Sequence, residues 1–213
     1  MKKYIPYIFL FLLLVSANSY GQNDSTKTSN NLLDELNTPE QKKVDLLPKK
    51  MLFTQSLLWG QNGLMRKTKY FELSPEERIK EMKIRRQMLV YHQITGIATL
   101  TAMLGEGIIG MQLYNGDRKI RDLHEGVAAA VNIGYITTAC LSFLSPPKML
   151  DEHKGYSSIK VHKILAFVHI AGMLATNILA SQVHDHPDLK PYHRDAAIVT
   201  FTALTASMVV IKF

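Results

Sequence analysis

From Leu89 onward the chain alternates long apolar runs with short polar breaks. The runs are Leu89 to about Leu113, Leu123 to Leu144, Ile159 to Val183, and Tyr192 to the C-terminus. Each is about 20 residues or more, the length an α-helix needs to cross a hydrocarbon core of about 30 Å. The breaks are Tyr114-Asn-Gly-Asp-Arg-Lys119, a loop that starts at Ser145-Pro146-Pro147 and runs to Ser158, and His184 to Pro191. Such short connections make consecutive helices antiparallel neighbours. The pattern predicts an all-α protein, an up-down-up-down four-helix transmembrane bundle over residues 75–213.

The first helix begins before its apolar run. Ser74-Pro75-Glu76-Glu77 places an N-cap serine before a first-turn proline, with Glu77 closing a capping box. Neither Gly nor Pro follows until Gly96. The helix should therefore run unbroken for about 58 Å at 1.5 Å per residue, and its first turns should project into water. Those turns carry Arg78, Lys80, Lys83, Arg85 and Arg86 against Glu76, Glu77 and Glu81. They read as a solvated, partly self-paired face, with a docking patch as the sharper alternative.

Residues 1–21 have the pattern of a secretory signal: Lys2 and Lys3, an apolar centre from Ile5 to Val15, and the small-residue site Ser19-Tyr20-Gly21. Residues 22–74 then form an extracytoplasmic segment. It opens with a polar leader rich in Asn, Ser, Thr and Asp. After Pro48 it carries a short amphipathic helix through Leu52, Phe53, Leu57, Leu58 and Trp59, ended by Gly60 or Gly63. Trp59 fits either a membrane interface or packing on the bundle.

Composition sharpens this picture only slightly. The formal net charge of +7 accompanies a 46% hydrophobic content gathered into blocks. In a chain of that kind, basic excess suits anionic lipid headgroups or an acidic partner, and no nucleic-acid motif is visible. The expected location is a bacterial inner membrane with the N-terminal segment periplasmic. The basic loop residues run against that orientation by the positive-inside rule. Cys140, the one cysteine, cannot form an intrachain disulfide. It reads as a small buried hydrophobe. There is no C-x-x-C-H for covalent haem.

The candidate chemistry lies in histidines. Each apolar run begins with one: His92, His124, His162 and His193. Alternating helix direction puts His92 and His162 toward one membrane face, and His124 and His193 toward the other. Facing helices of a four-helix bundle build cofactor sites in its core. Two opposed imidazoles fill both axial positions of a haem iron, which favours electron transfer over oxygen chemistry. The nitrogens of such a pair should lie about 4–5 Å apart.

The arrangement resembles the core of the cytochrome b561 family. The residues that carry the resemblance are His92-Gln-Ile-Thr-Gly96, Leu123-His-Glu-Gly126, Lys160-Val-His-Lys-Ile-Leu-Ala166 and Tyr192-His-Arg194, within residues 88–213. The resemblance implies two non-covalent haem b groups and transmembrane electron transfer, often with ascorbate or quinol as reductant. The chain would then be an electron-transfer protein or a subunit of a membrane oxidoreductase. A periplasmic redox protein or quinone would be its partner, in a homo-oligomer or a larger membrane complex. It departs from the family in having four recognisable spans rather than six.

Other residues support or compete with this reading. His169, two turns beyond His162, could replace it as a ligand or hydrogen-bond a propionate or the surroundings of Asn177. Glu106 is a carboxylate deep in an apolar run, so it should face the bundle and have a partner; a proton or quinol site and a structural acid are both open. Gly96, Gly126, Gly134 and Gly172 make room for a macrocycle or a neighbouring helix. Gly105-Glu-Gly-Ile-Ile-Gly110 matches a dinucleotide-binding fingerprint but follows no strand, so it is rejected. His184, Asp185 and His186 form a solvated loop cluster or a metal site. The other functional classes in play are a cofactor-free membrane scaffold and a proton or metal transporter that uses Glu106 and the histidines.

Overall fold

The computed structural model describes residues 45–68, 70–149 and 157–212. The signal and leader expected over residues 1–38 lie outside them. Two short helices, α1 (Phe53–Trp59) and α2 (Leu64–Lys67), precede four long ones: α3 (Pro75–Tyr114), α4 (Arg121–Phe143), α5 (Ser158–Gln182) and α6 (Lys190–Lys212). A single 3₁₀ turn leads into α4 (Arg118–Ile120) and another into α6 (Pro187–Leu189). The protein is an all-helical four-helix bundle, and α3, α4, α5 and α6 are each long and apolar enough to cross a membrane.

The α3 boundary follows from its cap. Ser74 has extended backbone, and its hydroxyl accepts from the Glu77 N–H at 3.2 Å. The helix runs 40 residues to Tyr114. Helix α5 is capped in the same way by Ser157, which accepts from the Lys160 N–H. Gly116, at φ 107°, supplies the left-handed residue of the turn after α3. Helix α1 starts at Phe53, five residues after Pro48 rather than at it.

The polarity of the bundle is that of a protein immersed in lipid. Thr99, Thr200, Ser207 and His169 are buried, while Ile133, Ile136, Ile164 and Phe167 are exposed. In water that distribution would leave a large apolar surface unpaired; in a bilayer the hydrocarbon covers it. Helices then associate through small residues and hydrogen bonds rather than apolar burial. A Cβ at Gly134 would meet Thr99 Oγ1 at 2.7 Å, and one at Gly172 would overlap Thr200 Oγ1. These glycines set the close approach of α3 to α4 and of α5 to α6. Asn132 and Asn177 exchange amide hydrogen bonds between α4 and α5, at 3.0 and 2.9 Å. Cys140 is exposed rather than buried, on an outward face of α4.

The end of the bundle where α4 terminates carries a polar cap. A helix leaves its last carbonyls without intrahelical partners. Here side chains from remote segments supply them in succession. Thr54 Oγ1 donates to Phe143 O at 2.7 Å, Trp59 Nε1 to Leu144 O at 2.9 Å, and Gln55 Nε2 to Ser145 O at 3.2 Å. Arg85 donates to Pro146 O at 2.6 Å and Arg78 to Pro147 O at 3.0 Å. Glu81 bridges Arg78 and Arg66, and both Arg78 and Glu81 are fully buried. The projecting turns of α3 are therefore solvated on one side alone: Arg78, Glu81 and Arg85 enter the cap, whereas Glu76, Lys80, Lys83 and Arg86 are exposed. Lys80 pairs with Glu77 at the surface, as expected of a partly self-paired face. Trp59 is 5% exposed, so it packs in this cap, edge-on to Phe71 at 5.3 Å, instead of lying in the membrane interface.

Candidate functional site

Helix geometry brings the four span-initial histidines together in two layers. His92 on α3 and His162 on α5 face each other with ring centroids 6.3 Å apart and planes at 85°. His124 on α4 and His193 on α6 do the same at 6.4 Å and 90°. The first layer lies at the capped end and the second at the end with the two 3₁₀ turns. Each layer joins helices that are not consecutive in the chain.

The Nδ1 atoms of three of these rings are hydrogen-bonded, and the fourth, on His124, lies against a carboxylate without hydrogen-bond geometry. His92 Nδ1 donates to Thr138 O at 2.8 Å, His162 Nδ1 to Ser207 O at 2.9 Å, and His193 Nδ1 to Thr176 O at 3.0 Å. His124 Nδ1 lies 2.6 Å from Glu106 Oε1. A proton held on Nδ1 fixes the tautomer and leaves the Nε2 lone pair as the acceptor or ligand atom.

These partners obey a rule along the sequence. Each helix carries a histidine and, fourteen residues later, the residue whose oxygen meets Nδ1 of the histidine of its hairpin partner: His92 and Glu106, His124 and Thr138, His162 and Thr176, His193 and Ser207. Fourteen residues are about four turns, so both groups stand on one helix face about 21 Å apart. The α3–α4 and α5–α6 hairpins repeat the scheme at an offset of about 70 residues. Reading the sequence for histidines alone missed Thr138, Thr176 and Ser207. The regular spacing after each histidine was the available signal.

The supporting residues sort differently from expectation. His169 is buried and faces Tyr135, with Nδ1 2.6 Å from the phenol oxygen. Its partner is thus a tyrosine on α4, not an opposed imidazole, and Asn177 is engaged with Asn132. His162 is the α5 residue that faces His92. Gly96 lies against α4, where a Cβ would meet Thr138 Cγ2 at 3.5 Å. Gly126 has open space around it. Gly110, which sequence reasoning passed over except within a rejected motif, lies against the His124 ring; a Cβ there would meet Cε1 at 3.2 Å. It follows Glu106 by one helical turn, which was the signal. His184 and His186 are exposed. No group of three or more His, Cys, Asp or Glu side chains suited to a metal ion occurs among the described residues.

The donor set fits a haem with two axial histidines. Two iron–imidazole bonds of about 2 Å, plus about 1.1 Å from each nitrogen to its ring centre, require centroids about 6.2 Å apart. Both observed separations meet this requirement, and three of the four Nδ1 atoms are hydrogen-bonded elsewhere. Two histidines with no third ligand do not make a closed site for a bare cation such as zinc.

No protein-family model matches the chain, and neither the curated proteins nor the solved structures contain a match to it.

Proposed function

We propose that this chain is a membrane b-type dihaem protein that passes electrons across the bilayer. One layer, His92 with His162, would hold a haem at the capped end; the other, His124 with His193, would hold one at the opposite end. The observation that carries the reading is the recurrence of the same geometry in both layers: opposed imidazoles at 6.3 and 6.4 Å, three of the four with Nδ1 bonded to a main-chain carbonyl and the fourth with Nδ1 against the Glu106 carboxylate.

Haem iron supplies one-electron chemistry when bound. The protein supplies the rest. His92 with His162 and His124 with His193 would hold the two haem irons, and two histidine ligands to each would favour electron transfer over oxygen activation. The carbonyls of Thr138, Thr176 and Ser207 hold three of the rings against rotation. The apolar outer faces keep water from the layers between the two ends. Polar residues cap both ends, where a periplasmic redox partner and a quinone or cytoplasmic-side partner would exchange electrons. The four spans agree with placement in a bacterial inner membrane, and the N-terminal signal pattern agrees with a periplasmic leader.

The visible spectrum of protein purified in detergent, after expression with haem supplied, tests this directly. A Soret band with low-spin α and β bands on reduction is expected, at two haems per chain. A protein that folds and takes up no haem sinks the reading and leaves the scaffold and transporter classes.

A further inference from the structure

The four Nδ1 partners are not equivalent. Three are neutral main-chain carbonyl oxygens, of Thr138, Thr176 and Ser207. The fourth is the Glu106 carboxylate, 2.6 Å from His124 Nδ1. By position Glu106 corresponds to Thr176 in the second hairpin, where the main chain alone orients the histidine. A carbonyl is therefore sufficient to orient a ring in this fold, and a carboxylate in an apolar span is costly. Glu106 must do something a carbonyl does not.

We propose that Glu106 makes the His124–His193 pair the lower-potential end of the bundle, so that the two layers form a graded electron path. This rests on the reading of both pairs as haem sites.

The physical basis is axial-ligand basicity. A carboxylate 2.6 Å from Nδ1 polarises the imidazole by its field and raises its basicity as a ligand. A more electron-rich ligand stabilises ferric over ferrous iron and lowers the reduction potential.

The Glu106 carboxylate is shielded where it faces His124. The Glu106 side chain is 15% exposed, so water screens it little. Arg121 pairs with Glu125, and Arg194 with Asp195. Arg194 also stacks over Tyr114 at 4.9 Å. Two of the cations at this end, Arg121 and Arg194, are thus committed to other carboxylates. Gly110 lets the His124 ring lie against α3, and Gly105 and Gly107, on either side of Glu106, have no neighbour within 4 Å of a would-be Cβ. Glu106 is a positioning and tuning residue by this account, acting through His124.

Redox titration followed by visible spectra, with electron paramagnetic resonance of the oxidised protein, tests it. In Glu106→Gln the carboxylate becomes a neutral isostere. The lower of the two midpoint potentials should rise, the other should stay, and one low-spin signal should change its g-values. Proteins with a single pair intact give an independent measurement. His162→Ala keeps only the Glu106 end, His193→Ala keeps only the carbonyl end, and the first should have the lower midpoint. Two haems with neither midpoint moved in Glu106→Gln, or a higher midpoint in His162→Ala than in His193→Ala, overturns the assignment alone. A wild-type protein without haem overturns the reading of the pairs, and the assignment with it.

Discussion

His193 Nδ1 donates to the carbonyl oxygen of Thr176 at 3.0 Å, and Thr176 stands fourteen residues after His162 on the neighbouring helix. Helix α5 thus contributes a histidine to one layer and the anchor of a histidine to the other. A displacement of α5 along its axis would disturb both layers together.

With haem in both histidine pairs as proposed, substitutions should remove it stepwise. His92→Ala and His162→Ala should each reduce the content from two haems per chain to one, as should His124→Ala and His193→Ala. Joining one substitution from each layer should remove all of it. Haemochrome absorbance against protein concentration reads the result. Loss of both haems from a single substitution would show that the layers do not act separately.

Because the acceptor at Thr176 is main-chain, its side chain is dispensable for the ligand set. Thr176→Ala should keep two haems and the wild-type low-spin signals. The Thr176 hydroxyl bonds back to Gly172 O at 2.8 Å, a local bond whose loss costs about 1 kcal/mol or less. Altered g-values in this variant would contradict the main-chain anchor.

Glu81 holds two buried arginines, so Glu81→Ala should destabilise the capped end by about 3–5 kcal/mol, the usual cost of leaving buried charge uncompensated. Lys80→Ala removes one partner of an exposed pair and should change stability by less than about 0.5 kcal/mol. Thermal unfolding of the two variants in one detergent compares them. Equal midpoints would remove the cap from the stabilising features.

Gly172→Val should destabilise by about 1–3 kcal/mol through overpacking, since the Cβ would overlap Thr200. Gly107→Ala has the opposite sign. The position is open, and replacing a mid-helix glycine there should gain about 0.5–1 kcal/mol. Denaturation curves of both variants check the contrast.

Phe167 is 76% exposed near the middle of α5. Phe167→Asp should make insertion of that span less favourable by about 3 kcal/mol, while leaving the bundle interior untouched. A membrane-insertion assay on α5 measures the shift. Unchanged insertion would mean that this face does not meet lipid.

The spans, their boundaries and the α3 cap were legible because each rests on local chemistry: run length, Ser74 with Pro75, and the polar breaks. The pairing of His92 with His162 was legible too, since alternating helices place alternate span starts at one end. The cap was not. Arg78 and Glu81 look like surface charges until Pro147, from a segment far along the chain, arrives to accept from Arg78. The depth of Trp59 was hidden for the same reason, because its partner is the Leu144 carbonyl.

By itself the sequence determined four apolar helices, their antiparallel order and the four histidines at their starts, because periodicity and length act within a segment. Tertiary structure decided which atoms those histidines meet. It gave Nδ1 a carbonyl in three cases and a carboxylate in the fourth, turned His169 toward Tyr135, and closed the α4 terminus with side chains of α1 and α3. Ring orientation and hydrogen-bond partners depend on the rotation and axial offset of one helix against another. Packing between helices fixes those, and hydropathy within one helix does not encode them.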